Sequence, residues 1–254
     1  MKISTKASLA AVGLLVAIGG LSNAQASGDL IKVYSPIVDE GELEFELRGH
    51  GSVARPSSNS DVQAHRFEIS YGVNSWWATG LFGEMQQNPG SGLRYAVTGF
   101  ENIFQLTPQG KYWADLGLYL EYNRGARRDD TDEFEVKFLF EKQIQPFIFT
   151  ANLAFAQEIG RNAATGVGFE YTAVAKAPVR HGIDLGVQVL GGMGRIGRFE
   201  TFSRQEFAVG PVLSGSTRLG NLPGKLKYEV GYLFGVGASA RGLPKYIVEY
   251  EFPF

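Results

Sequence analysis

The 254-residue chain contains no cysteine, which excludes thiol catalysis, a disulfide scaffold, Cys-ligated zinc and an amino-terminal lipid-modified cysteine. It has no excess of basic residues either. With 24 Lys and Arg against 26 Asp and Glu, it lacks the cationic surface that a nucleic-acid partner requires. Histidine is scarce, and His50, His65 and His181 show no ligand-pair spacing, so neither a metal nor a cofactor is expected. Apolar runs are missing beyond residue 26, which excludes a spanning helix in the remainder of the chain. What is plentiful is glycine, 33 residues, with 18 Phe and 11 Tyr, a composition that suits strands and turns better than helices.

The amino terminus reads as an address. Lys2 and Lys6 precede the apolar run Leu9 to Leu21, which ends in small residues and Ala24-Gln25-Ala26. The run is shorter than the ~20 residues of a membrane-spanning helix and matches a secretory signal, so residues 1–26 are expected to be cleaved before Ser27. The cleaved chain loses two lysines. Residues 27–41 are mostly polar and precede the first strand, as a periplasmic segment that either hangs free or folds into a lumen.

From Glu42 onward the periodicity is two. Leu43, Phe45 and Leu47 alternate with Glu44, Glu46 and Arg48; Phe134, Val136, Phe138 and Phe140 alternate with Glu133, Glu135, Lys137 and Glu141. Twelve segments follow this pattern: 42–54, 62–73, 76–87, 93–107, 112–124, 133–143, 147–158, 165–176, 182–192, 204–219, 225–238 and 244–254. The connections alternate between short turns such as Gln145-Pro146 and longer polar loops such as 125–132. The reading is all-β, an antiparallel up-and-down barrel over residues 42–254. Alternation alone leaves open which face is inside. A membrane barrel shows its apolar rows to lipid and keeps a polar lumen, whereas a soluble barrel this wide must fill its interior. Trp76, Trp77 and Trp113 all follow short turns at one end, the place for an interfacial aromatic girdle. That placement favours the membrane.

These features, with the segment Tyr71 to Trp77 (YGVNSWW) and the final strand Tyr246 to Phe254 (YIVEYEFPF), resemble Gram-negative outer-membrane β-barrels over the whole chain after residue 26. The resemblance implies outer-membrane localisation with both termini periplasmic, and contact with membrane lipid and lipopolysaccharide. It also implies that Tyr250, Phe252 and Phe254 form the signal read by the barrel-assembly machinery. Pro253 departs from the usual polar or basic penultimate residue.

Chemistry is expected in the lumen. Closing the barrel pairs first and last strands, bringing Glu44 and Glu46 near Glu249 and Glu251, with Glu229 one strand away. This acidic seam either favours cations or is neutralised by Arg48, Lys227 and Lys245 as a structural ladder. His50 and Ser52 share a face, the spacing that outer-membrane phospholipases use, but no third orienting residue is identifiable. His50 and His65 are expected on opposite faces. Arg127-Arg128-Asp129-Asp130 is read as a lipopolysaccharide contact or, more simply, a self-neutralising loop. Phe100 and Phe104 have the wrong parity for Tyr95, so either a bulge near Thr98-Gly99 restores the register or these rings narrow the pore. The function expected is a passive channel for small hydrophilic or cationic solutes. The alternatives are a lipid-modifying hydrolase and a closed structural or adhesive barrel plugged by its own side chains or by Ser27 to Asp39.

Overall fold

A computed structural model describes residues 31–53, 62–87, 90–237 and 239–254; the expected signal peptide lies outside them. Twelve long antiparallel strands follow one another around a closed barrel: β1 (Glu42–Ser52), β2 (Val62–Asn74), β3 (Trp77–Gln87), β4 (Arg94–Gln105), β5 (Asp115–Gly125), β6 (Asp132–Ile144), β7 (Phe147–Ile159), β8 (Gly168–Arg180), β9 (Ile183–Arg195), β11 (Glu206–Thr217), β12 (Lys225–Gly237) and β13 (Gly242–Pro253). A two-residue strand, β10 (Arg198–Phe199), extends β9 into the loop that follows it. First and last long strands pair, with Phe45 opposite Tyr250 and Glu44 opposite Glu251. Each expected segment has its strand, and ends differ by a few residues.

The barrel is inside out relative to a protein that folds in water. Glu46, Arg48, Glu121 and Lys137 are at most 4% exposed, while Phe45, Phe67, Leu81 and Val187 are 47–63% exposed. With a side-chain period of two, one register choice sends the charged rows inward and most apolar rows outward. Among the described residues each of the twelve long strands is paired on both sides.

The uncertain stretch of β4 is resolved by a bulge two residues before the expected one. Pairing jumps from Val97 opposite Glu84 to Tyr95 opposite Met85, leaving Ala96 as the extra residue; its carbonyl accepts from the Ala126 N–H at 2.9 Å. Phe100 and Phe104 therefore point outward. Phe100 is 46% exposed beside Tyr122, and Phe104 stacks on Trp76. The same shift turns Glu101 inward, where it is 2% exposed.

At the end where β1 begins and β13 ends, three connections are two residues long (75–76, 145–146, 181–182), and two are longer (106–114, 218–224). The asymmetry between the two ends is thus weaker than expected. Trp76, Trp77 and Trp113 all lie at this turn end; Trp113 is 80% exposed, and the Trp77 indole donates to Asn102 Oδ1 at 3.0 Å. The final strand closes here too. Phe252 stacks on Phe45, and Phe254, 83% exposed, meets Tyr71 edge-on.

Because the chain has no native thiol, closure is directly testable. Opposed antiparallel residues lie within disulfide reach. The double variant Phe45→Cys/Tyr250→Cys is expected to oxidise to an intramolecular disulfide in the refolded protein. Phe45→Cys/Phe138→Cys, placed far apart around the wall, is not. A cross-link in the second pair, read as a mobility shift on gels, would contradict the strand order.

Candidate functional site

Residues 31–40 have no ladder partner among the described residues; they run inside the barrel from its middle to its turn end. Of the two courses open to the segment preceding β1, the described part takes the one into the lumen. Ile31, Tyr34 and Val38 are 1%, 2% and 9% exposed. The backbone of this plug is satisfied by lumenal side chains in place of a neighbouring strand. Asn152 of β7 grips Tyr34 from both sides, its Oδ1 accepting from the Tyr34 N–H and its Nδ2 donating to the Tyr34 carbonyl, each at 2.8 Å. Gln105 Oε1 accepts from the Val38 N–H at 2.9 Å, and the Ile31 carbonyl accepts from Gln188 Nε2 at 3.2 Å and from Lys245 Nζ. At the exit, the Gly41 N–H donates to the Gly72 carbonyl at 2.8 Å.

Two glycines are required by this course. A methyl group at Gly72 would overlap the Asp39 carbonyl oxygen, and one at Gly117 would stand 2.7 Å from Pro36 Cβ. Either substitution sets the wall against the plug.

The lumen that receives the plug has two unlike sides. One is a charge lattice built on β1 to β6. Arg48 Nη1 donates to Glu46 at 2.6 Å, Arg66 reaches Glu121 at 2.9 Å and Glu84 at 3.3 Å, and Lys137 lies 3.2 Å from Glu135. Tyr34 is inserted here: its hydroxyl accepts from Arg48 Nη2 at 2.7 Å, and its ring lies tilted against that of Tyr119, with centroids 4.6 Å apart. The Lys137 ammonium stands 4.7 Å from the Tyr34 ring and 4.4 Å from the Tyr119 ring. The Tyr119 hydroxyl in turn donates to Glu101 at 2.7 Å. The opposite side is apolar. Val174, Leu190, Ala208, Val212, Leu233 and Leu243 form one buried cluster against which Val33 packs. The plug is therefore amphipathic with period two, with Lys32 and Tyr34 among charged groups and Val33 against aliphatic ones.

The expected acidic seam forms. Glu44 and Glu46 face Glu251 and Glu249 across the closing strands. Its counter-charges are more numerous than expected. Arg48 pairs with Glu46, Lys227 with Glu251, and Lys245 with Glu229 at 2.6 Å, while Lys176 reaches Glu229 at 2.5 Å. The central cation comes from the plug: Lys32 Nζ contacts Glu46 and lies 3.0 Å from Glu249 and 3.6 Å from Glu44. Burial would lower the pKa of this ammonium, but Glu46, Glu249 and Glu44 outweigh it and raise it well above the ordinary lysine value. Below the cage a cavity of about 480 Å³ opens at the turn end, bounded by the plug and by Glu44, Glu229, Glu249 and Glu251.

Sequence reasoning missed three parts of this arrangement. Glu101 was hidden by the β4 bulge. The aliphatic side of the lumen was hidden because Val174, Leu190 and Val212 lie on strands apolar on both faces. Lys32 was hidden because no periodicity assigns a partner to a residue outside the strands. The one signal present was the alternation Ile31-Lys32-Val33-Tyr34, a strand-like pattern with no strand to pair with.

His50 and Ser52 face the lumen, 5% and 1% exposed, and His50 Nδ1 and Ser52 Oγ have no hydrogen-bond partner among the described residues. No carboxylate orients the imidazole through Nδ1, and the pair is walled off from bulk lipid. His65 lies outside, against the Tyr246 hydroxyl at 2.9 Å. Asp130 is engaged by Arg94 of β4 at 3.3 Å and accepts from the Arg127 backbone N–H at 3.1 Å, so its counter-charge comes from the neighbouring strand and not from the loop.

The geometry has parallels among solved structures. An outer membrane channel from Pseudomonas putida F1 is 10% identical, with a TM-score of 0.56 over 85% of this chain and 97% of that one. The KdgM porin, solved with disordered oligogalacturonate, is 10% identical, with a TM-score of 0.50 over 84% and 99%. The translocator domain of the autotransporter NalP from Neisseria meningitidis is 12% identical, with a TM-score of 0.51 over 84% and 88%. The fold is that of outer-membrane β-barrels. No family model matches the sequence, and no curated protein does.

Replacing Asn152 by Ala removes its two hydrogen bonds to the Tyr34 backbone in a closed lumen, a cost of about 1–3 kcal/mol borne by the docked plug. Asn152→Ala and Gly117→Val are therefore expected to expose the segment around Tyr34 to protease while the barrel keeps its heat-modifiable gel mobility. Loss of the folded band in Asn152→Ala would mean that the plug is an integral part of the wall.

Proposed function

We propose that the protein is an outer-membrane channel for small hydrophilic solutes, cations in particular, that is closed in the described state by residues 31–40. The observation that carries this reading is the manner of closure. Tyr119, Glu121, Leu139, Gln188, Leu190 and Leu233 are at most 1% exposed, so the middle of the lumen is filled. Yet the filling is a separate segment held by side chains, which water can replace without breaking a strand pair. A barrel serving only as a wall has no need of a removable core. Withdrawing the plug removes Lys32 and leaves Glu44, Glu46 and Glu249 facing the opened path, which favours cations over anions.

The inverted surface supports the membrane setting, since apolar rows of this exposure along most strands are tolerated in lipid and not in water. In that setting both termini face the periplasm, Trp76, Trp77 and Trp113 sit at the periplasmic interface, and Tyr250, Phe252 and Phe254 serve as the assembly signal. The porin and channel among the structural parallels agree with this reading. The filled lumen favours one other reading, a closed structural barrel, and the same experiment decides between them.

The contact between Pro36 and Gly117 provides the test, since a side chain at Gly117 displaces the plug from the wall. Refolded as residues 27–254 in planar bilayers, the unsubstituted protein is expected to stay closed, and Gly117→Val and Asn152→Ala to pass single-channel current with a reversal potential toward cations in a salt gradient. Silence of both variants at all voltages would favour the closed structural barrel, and reversal toward anions would remove the cation preference.

A further inference from the structure

The cage that holds Lys32 is built as a receptor for an ammonium group. An ammonium carries three N–H donors, and one carboxylate oxygen from each of Glu44, Glu46 and Glu249 converges within 4.8 Å of the others. Calcium would want six to eight oxygens at 2.3–2.6 Å, more than three carboxylates offer without water. The cage does not belong to the fold of the plug; its three carboxylates come from the closing strands β1 and β13 and stay when the plug leaves. Two of them, Glu44 and Glu249, also line the cavity at the turn end. A solute in that cavity therefore reaches them without passing the plug.

A second observation points to a ligand larger than a single ammonium. Glu251 lines the same cavity and is 3% exposed. Lys227 engages its Oε1, while its Oε2 has no hydrogen-bond partner among the described residues. A buried carboxylate oxygen without a donor is costly. Glu251 follows Glu249 by two residues on the same face, about 6.6 Å along the strand, a spacing that a short alkyl chain with an ammonium at each end can bridge.

We propose that the Glu44, Glu46 and Glu249 cage is a recognition site for the primary ammonium of a linear diamine-type cation. Such a solute takes the place of Lys32, sets its second ammonium against Glu251, and so frees the plug. This rests on the channel reading, since it names the solute class that opens the path. Lys32 is then an internal competitor, and the solute unlocks the lumen it is about to enter.

The test reads plug release without current. In Ile31→Cys, the single thiol replaces a side chain that is 1% exposed, and its reaction with a bulky maleimide is expected to be slow. Millimolar 1,4-diaminobutane should accelerate labelling at least tenfold, while 1,4-butanediol should not. Ile31→Cys/Lys32→Met should label fast and ignore the diamine. Equal acceleration by calcium chloride at matched ionic strength would mean charge screening alone and overturn the proposal, as would no response to the diamine.

Calorimetry provides a second readout that does not depend on the label. Lys32→Met should bind 1,4-diaminobutane, and adding Glu44→Gln and Glu249→Gln should weaken that binding at least tenfold; unchanged binding would place the ammonium elsewhere and overturn the assignment. Positive labelling and binding with silent bilayers would sink the channel and leave the site standing.

Discussion

The closing seam between β1 and β13 governs the rest of the lumen. Pairing the first strand with the last is unavoidable in a closed barrel, and the register places Glu44 and Glu46 opposite Glu251 and Glu249. Four carboxylates confined in one patch repel each other unless cations lie among them. The wall supplies Arg48 and Lys227 at the edges of the patch. The centre lies out of reach of the neighbouring strands' cations, Lys176 and Lys245 being engaged by Glu229. Lys32 fills the centre, and with it the chain is drawn into the barrel. Closing the lumen is thus the electrostatic consequence of closing the sheet.

The remaining contacts follow from threading a chain between two unlike walls. The β1 to β6 side carries charges satisfied by one another, so an inserted segment there must bring hydrogen-bonding and π-bearing groups. Tyr34 does both, accepting from Arg48 and offering its ring to Lys137. The aliphatic cluster itself offers no donors, and Val33 meets it with a matching surface. The segment has no sheet partner, and a buried backbone without one demands substitutes. Asn152, Gln105 and Gln188 supply them.

Much of this was legible in the sequence. Period two with charged and apolar rows of opposite parity dictates the strands, their number and, through closure, the meeting of Glu44 and Glu46 with Glu249 and Glu251. Parity could not say which row was inside, because burial of Phe45 and burial of Glu46 satisfy the same alternation; only the closed geometry decides. The change of parity between Tyr95 and Phe100 announced a bulge without placing it, because small residues such as Ala96 and Gly99 fit either face. With inward-pointing rings left open as the alternative, Glu101 went unrecognised. The aliphatic wall was missed for the same reason in reverse. Where both rows of a strand are apolar, as around Val187 to Leu190, counting charges finds nothing to count.

Lys32 marks the deeper boundary of sequence reading. Strand residues acquire their neighbours from register, a local rule repeated along the chain. A residue ahead of the first strand has no register, and its partners are set by where the lumen leaves charge and space unfilled. That dependence is what makes the proposed reversible closure physically possible. The strand ladder does not include the plug, so the free energy holding the plug and that holding the barrel are largely separate sums. A few side-chain amides, one ammonium and one phenol hold the plug in the lumen. None of these contacts is a rung of the ladder.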